Sequence, residues 1–110
     1  MAKTAAELAI RTLEKIGVLA QGDTPSTADS DAVQDAYTNV YQEAERLGWA
    51  FWDEDAIPEY VFEALCDFMA GRLASDFGFE APPAYLSAEA RLRLMAANPP
   101  TGEVLSAEYY

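Results

Sequence analysis

I57-P-E-Y-V-F-E-A-L-C-D-F-M-A-G-R-L-A-S-D-F-G78 is the stretch around which the rest of the chain is arranged. It reads as a central helix over 58–77. Pro58 suits the first helical position, where φ is already set and no backbone donor is required. Gly78 suits the left-handed residue just past a helix end. Between them Val61, Phe62, Leu65, Cys66, Phe68, Met69 and Leu73 fall on one broad arc at about 100° per residue. Glu59, Glu63 and Asp67 stack on the opposite side, one turn apart. An apolar arc this wide needs cover from more than one neighbouring helix.

Two features break that pattern. Arg72 and Asp76 project onto the apolar arc at i,i+4 spacing, which reads as a local ion pair with its stems on the core. The alternative is that Arg72 meets a carboxylate of a partner chain. Ala70, Gly71 and Ala74 lie on the acidic side, and a glycine inside a helix costs about 1 kcal/mol against alanine. That cost predicts close approach by another backbone.

Upstream, T4-A-A-E7 forms a capping box that opens a first helix over 4–16. Leu8, Thr12, Leu13 and Ile16 make its inner face, with Glu7 and Arg11 paired outside and Gly17 at its end. After a loop punctuated by Gly22, Asp23 and Pro25, Ser26 or Thr27 caps a second helix over 27–47. Val33, Tyr37, Val40, Ala44 and Leu47 repeat at helical spacing along it, widened by Ala36 and Tyr41. Gly48 ends it. Trp49, Phe51 and Trp52 then crowd together ahead of Asp53, Glu54 and Asp55. The aromatics either cap one end of a bundle core or form an exposed anchor for a partner protein. The acids lack the spaced ligands and glycine of a calcium loop, so no metal is expected there.

Downstream, F79-E-A-P-P-A84 is a short stiff link to a fourth helix over 84–97. Tyr85, Leu86, Leu92, Met95 and Ala96 include its apolar side, and Glu89 pairs with Arg93. Asn98-Pro99-Pro100 stops it. The remainder has no helical period. A disordered terminus is the simplest reading, yet Val104, Leu105, Tyr109 and Tyr110 are more apolar than a solvated tail requires and suit an arm that docks on another chain. The expected architecture is therefore all-α: a small four-helix bundle over 1–98 and an extended C-terminal arm over 99–110.

At 110 residues and 51% hydrophobic, the chain is the size of one globular domain. No apolar run is long enough to span a membrane. Glu7 interrupts any leader-like segment at the N-terminus, so synthesis in the cytoplasm is expected. The single cysteine, Cys66, reads as a core thiol, with a reactive thiol the alternative. The formal net charge of −12 is unevenly placed. Residues 23–80 carry fourteen acids against Arg46 and Arg72, while both flanks are near neutral. Such a surface repels nucleic acid, whose binding requires basic groups on phosphates. It fits a solvated face, a wall that DNA slides past, or a decoy that imitates DNA.

Histidine is absent from the sequence, so nucleophiles activated by histidine are excluded. Phosphate-binding, dinucleotide and zinc motifs are absent as well. The chain reads as a non-enzyme that needs no cofactor, with its function in its surfaces.

Two blocks resemble a known family. One is T4-A-A-E-L-A-I-R-T-L-E-K-I-G-V-L-A-Q-G-D-T-P-S26 with the helix from Ala28 to Gly48 behind it; the other is Ile57 to Gly78. In that order they look like the head–tail connector (adaptor) proteins of tailed bacteriophages and related gene-transfer particles, which include tail accessory factors that stabilise packaged DNA. The resemblance implies a virion neck protein made in the host cytoplasm. It would form a ring, typically of twelve copies, beneath the portal protein, extend the DNA channel, help retain packaged DNA, and dock a stopper or tail protein below. It implies neither membrane association nor sequence-specific nucleic-acid binding. Residues Thr101 to Tyr110 match the portal-reaching arm by position alone, which makes Val104, Leu105, Tyr109 and Tyr110 the candidate docking residues. Trp49, Phe51, Trp52 and Arg72 are candidate contacts between subunits or with a partner, and Glu59, Glu63 and Asp67 the candidate acidic channel face. The short link between the second and third helices departs from relatives that carry a longer loop there. The competing expectation is an acidic inhibitor that mimics DNA, or another protein-binding module.

Overall fold

The computed structural model describes residues 2–97. The element order is α1 (Ala5–Ile16), α2 (Thr27–Leu47), α3 (Glu59–Leu73) followed by a 3-10 turn (Ala74–Phe77), and α4 (Tyr85–Ala97). The chain is an all-α four-helix bundle, and no strand occurs among the described residues.

Local chemistry sets the helix ends. Thr4 Oγ1 accepts from the Glu7 backbone N–H at 3.2 Å, and the Glu7 carboxylate accepts from the Thr4 N–H at 2.8 Å, completing the capping box. Asp55 adds a second anion at the same helix start by accepting from Ala5 N–H at 2.7 Å. At the other end Gly17 adopts φ +103°, and the Val18 N–H reaches back to the Leu13 carbonyl at 3.1 Å, which satisfies a carbonyl the helix leaves open. Ser26 caps α2 through Asp29 N–H at 3.1 Å. Pro58 sits one place earlier than expected, as the extended residue before the first turn of α3.

Nearly every residue of α3 from Val61 to Ala70 is buried; Glu63 is the exception. α1 covers one flank and α4 the other, while α2 packs chiefly on α1 and more sparsely on α3. The core therefore runs along α3, with Leu8, Tyr37, Val40, Ala44, Ile57, Ala88 and Leu92 supplied by its neighbours. Cys66 is fully buried within it. The segment between α2 and α3 is tied down at both edges. Lys3 and Ile57 exchange backbone hydrogen bonds at 2.7 and 2.8 Å, and the Tyr37 hydroxyl donates to the Glu54 carbonyl at 2.6 Å while accepting from Trp52 Nε1 at 3.1 Å.

The structure corrects four expectations. The helix over 58–77 is not continuous, because its last turn tightens to 3-10 geometry from Ala74. Gly71 is closed on by a ring and not by a backbone: a Cβ there would lie 1.9 Å from the Tyr85 ring of α4. Leu47 and Leu86 project into solvent: Leu47 stands on the rim of a small hollow shared with Phe68 and Arg93, and α4 meets α3 through Ala88 and Leu92. Arg11 pairs with Glu14 and Glu63 while Glu7 turns back to Thr4, so the Glu7–Arg11 pair does not form.

Candidate functional site

The expected acidic face at Glu59, Glu63 and Asp67 is not an open one. Glu59 lies exposed in the first turn of α3, but Asp67 is buried between α1 and α4. Lys15 Nζ approaches Asp67 Oδ1 at 2.8 Å and Glu63 Oε1 at 3.0 Å. Arg91 donates to Asp67 Oδ2 at 2.6 Å, and Arg11 to Glu63 Oε2 at 3.4 Å. Burial pushes the Asp67 carboxyl up, but hydrogen bonds from Lys15 and Arg91 outweigh it and hold the group below the ordinary carboxylate value. Glu63 behaves likewise, with burial outweighed by Lys15 and Arg11. These acids join three helices and are spent on the fold. A helical projection of one element treats a charge as outward-facing; it cannot see cations arriving from two other helices.

Acid without countercharge lies elsewhere. Asp31, Asp35 and Glu45 are exposed along the outer side of α2, and none forms an ion pair among the described residues. Exposed Asp53 follows in the next segment. Partial burial, and then the negative field of Glu45, Asp53 and Glu54, raise the Tyr41 phenol above its ordinary value. The excess of acids in residues 23–80 was visible in the sequence; its concentration on α2 emerges once the α3 acids are neutralised.

The aromatic cluster divides. Trp49 and Trp52 are 6% and 7% exposed and belong to the core. Trp49 stacks edge-on against Phe68 with centroids 6.0 Å apart, under the Arg93 guanidinium. Phe51 remains accessible and meets Tyr60 of α3 at 6.3 Å. With Asp53, Ala56 and Pro58 they border an open hollow of about 500 Å³. Tyr60 was missed because it precedes Val61 on the polar side of the α3 projection.

Arg72 makes no ion pair with Asp76. The 3-10 turn takes Asp76 out of α-helical register, and the guanidinium lies 5.6 Å over the Phe68 ring. Both residues border a hollow of about 220 Å³ between α2 and α3. Val104, Leu105, Tyr109 and Tyr110 lie outside the described residues.

Among the described residues no group of three histidine, cysteine, aspartate or glutamate side chains is placed to hold a metal ion. Burial, reinforced by Glu63, pushes the Cys66 thiol up to about 12, which disfavours the thiolate. No described helix is long and apolar enough to cross a membrane. The described surface presents an acidic row on α2, an aromatic edge at Phe51 and Tyr60, and a hollow of mixed polar and apolar lining between α2 and α3. No family model, curated protein or solved structure matches this chain.

Proposed function

We propose that the chain is a structural head–tail connector subunit of a tailed phage or related particle. Copies of it stand as a ring under the portal and carry the DNA channel toward the tail. The observation that supports this reading best is the exposed acidic row of α2, with no basic residue paired to it among the described residues, on a helical bundle. Such a wall repels phosphate at close range and lets DNA pass without sticking. The role first assigned to Glu59, Glu63 and Asp67 thus passes to Asp31, Asp35 and Glu45. In this reading residues 99–110 dock on the portal, neighbouring copies meet at the bundle flanks, and a stopper or tail protein engages the lower rim.

A pull-down on the portal encoded beside this chain tests it. The full chain should be retained, and a chain ending at Asn98 should remain folded but pass through. Retention of the truncated chain would remove the docking role of the arm. The same acidic row favours a second reading, an inhibitor that imitates DNA and binds a basic protein. Loss of binding to a basic host protein with rising salt, without any portal binding, would select that one.

A further inference from the structure

α4 is apolar on two opposite sides. Ala88 and Leu92 are buried against α3, with Tyr85, Met95 and Ala96 packed beside them. Leu86, Ala90 and Leu94 repeat one turn apart on the other side, and all three are exposed. Leu86 is 87% and Leu94 65% accessible, more than any other large apolar residue described. At about 100° per residue their stripe centres opposite the side that carries Ala88 and Leu92. The bundle core accounts for the first side and not for the second.

The order of the stripe selects what covers it. L86-x-x-x-A90-x-x-x-L94 reads the same in both directions about Ala90. A two-fold axis at Ala90 lays it antiparallel on a second copy of itself. Leu86 then faces Leu94 of the second copy, Leu94 faces its Leu86, and the two alanines meet between them, where small side chains let the helix axes approach to about 8 Å. Charge obeys the same symmetry. Glu89 and Arg93 lie along one edge of the stripe, so the axis sets each beside the opposite charge of the second copy, in addition to the pair they already make within the helix at 2.8 Å. Glu43 and Arg72 border the same small hollow as Glu89 and Arg93, one of each sign, and leave that edge balanced. On the other edge Arg91 approaches its own counterpart, but Asp67 holds it at 2.6 Å and offsets its charge. α4 carries one acid against two arginines, whereas α2 carries five acids against one. In a chain of net charge −12, two copies therefore meet through α4 without massing like charge.

We infer that the free chain forms a two-fold pair through the outer side of α4, with Leu86 and Leu94 as its anchors. One helix pair is small beside the roughly 1,200 Å² of a stable complex, so the pair dissociates on dilution. A cyclic ring is built from head-to-tail contacts, so this pairing is a separate contact and does not rest on the connector reading.

Sedimentation equilibrium of the full chain is the first test. The mass should rise from 12.0 kDa at low micromolar concentration toward twice that at millimolar concentration. Leu86→Glu should abolish the rise and leave the melting of the dilute protein unchanged, since the residue lies outside the core. Cysteine pairing reads the register, with buried Cys66 silent. Leu86→Cys mixed with Leu94→Cys should form a mixed disulfide on mild oxidation. Neither variant should link to itself faster than exposed Asp35→Cys on α2, because like positions stand about 12 Å apart along the axis. A chain that stays at 12.0 kDa throughout would overturn the inference. So would association that survives Leu86→Glu, or Leu86→Cys linking to itself as fast as to Leu94→Cys, which would place the contact on another face or make it parallel. No portal is needed, so failure here and failure to bind a portal are separate outcomes.

Discussion

Asp67→Asn tests whether one buried carboxylate holds three helices together. The wild-type side chain is 9% exposed and accepts from Lys15, itself 17% exposed, and from Arg91, which is 39% exposed. Asparagine keeps the shape but loses the charge, and its amide group turns donors toward two cations. Losing a charge-assisted hydrogen bond costs about 1.5–3 kcal/mol. Removing one partner of a fully buried pair costs about 3–5 kcal/mol. Lys15 keeps Glu63 as a second anion, which lowers the penalty. The half-exposed Arg91 can turn to water, so its share is at most about 1 kcal/mol. The expected loss is about 2–4 kcal/mol. At an unfolding entropy of about 2.1 cal/mol/K per residue, that lowers Tm by roughly 9–17 °C. Urea unfolding followed by the fluorescence of buried Trp49 and Trp52 measures it, with Glu89→Gln as control. The exposed Glu89–Arg93 pair, bonded at 2.8 Å, should contribute no more than about 0.5 kcal/mol. The pH profile supplies a second readout. Asp67 and Glu63 have folded values below their ordinary ones of 3.8 and 4.5, so their stabilisation is present above those values and is lost as pH falls through the lowered ones. Lys15 is shifted the other way, above 10.5, because its bonds to Asp67 and Glu63 outweigh burial; its stabilisation is lost only as pH rises through the raised value. The wild type should therefore lose stability below about pH 4 more steeply than Asp67→Asn. A variant within about 0.5 kcal/mol of wild type, with an unchanged acid limb, would refute the claim that Asp67 links α1, α3 and α4.

Three further outcomes follow from the packing. Gly71→Ala should destabilise by about 1–3 kcal/mol despite alanine's better helix propensity, because its Cβ would overlap the Tyr85 ring; a second change, Tyr85→Ala, should make the pair markedly non-additive in thermal melts. Tyr37→Phe should cost about 1–3 kcal/mol in urea unfolding, since the Trp52 N–H and the Glu54 carbonyl lose their shared hydroxyl. Cys66 should resist thiol reagents in the native state at pH 8 and react at the rate of a free thiol once urea unfolds the chain.

The fold was legible where local chemistry decides it. Thr4, Glu7, Gly17, Ser26, Gly48 and Gly78 set helix ends through their own hydrogen bonds or left-handed backbone, and those bonds need no distant partner. The α2 seam was legible from Val33 to Ala44 because its period is strong, and it failed at Leu47, which is left on the open rim of a hollow bordered by Phe68 and Arg93. Burial of Asp67 was not legible, since it depends on Lys15 and Arg91 converging from segments far apart in the chain. Gly71 signalled a close approach, but only the docking angle of α4 makes the partner a ring. Of the surfaces, the crowding of aromatics was evident, whereas its division into core tryptophans and an exposed Phe51–Tyr60 edge required the tertiary structure. The hollow between α2 and α3 has no sequence signal at all: it exists because α2 packs on α1 and leaves α3 partly uncovered.

Electron microscopy of this chain co-purified with the portal encoded beside it is the most direct measurement of the proposed role. A ring of added density below the portal, with α2 and its Asp31–Asp35–Glu45 row facing the lumen, is the predicted result. A bare portal with the chain left as a free monomer would contradict it, as would a ring whose lumen is neutral or basic while α2 faces outward.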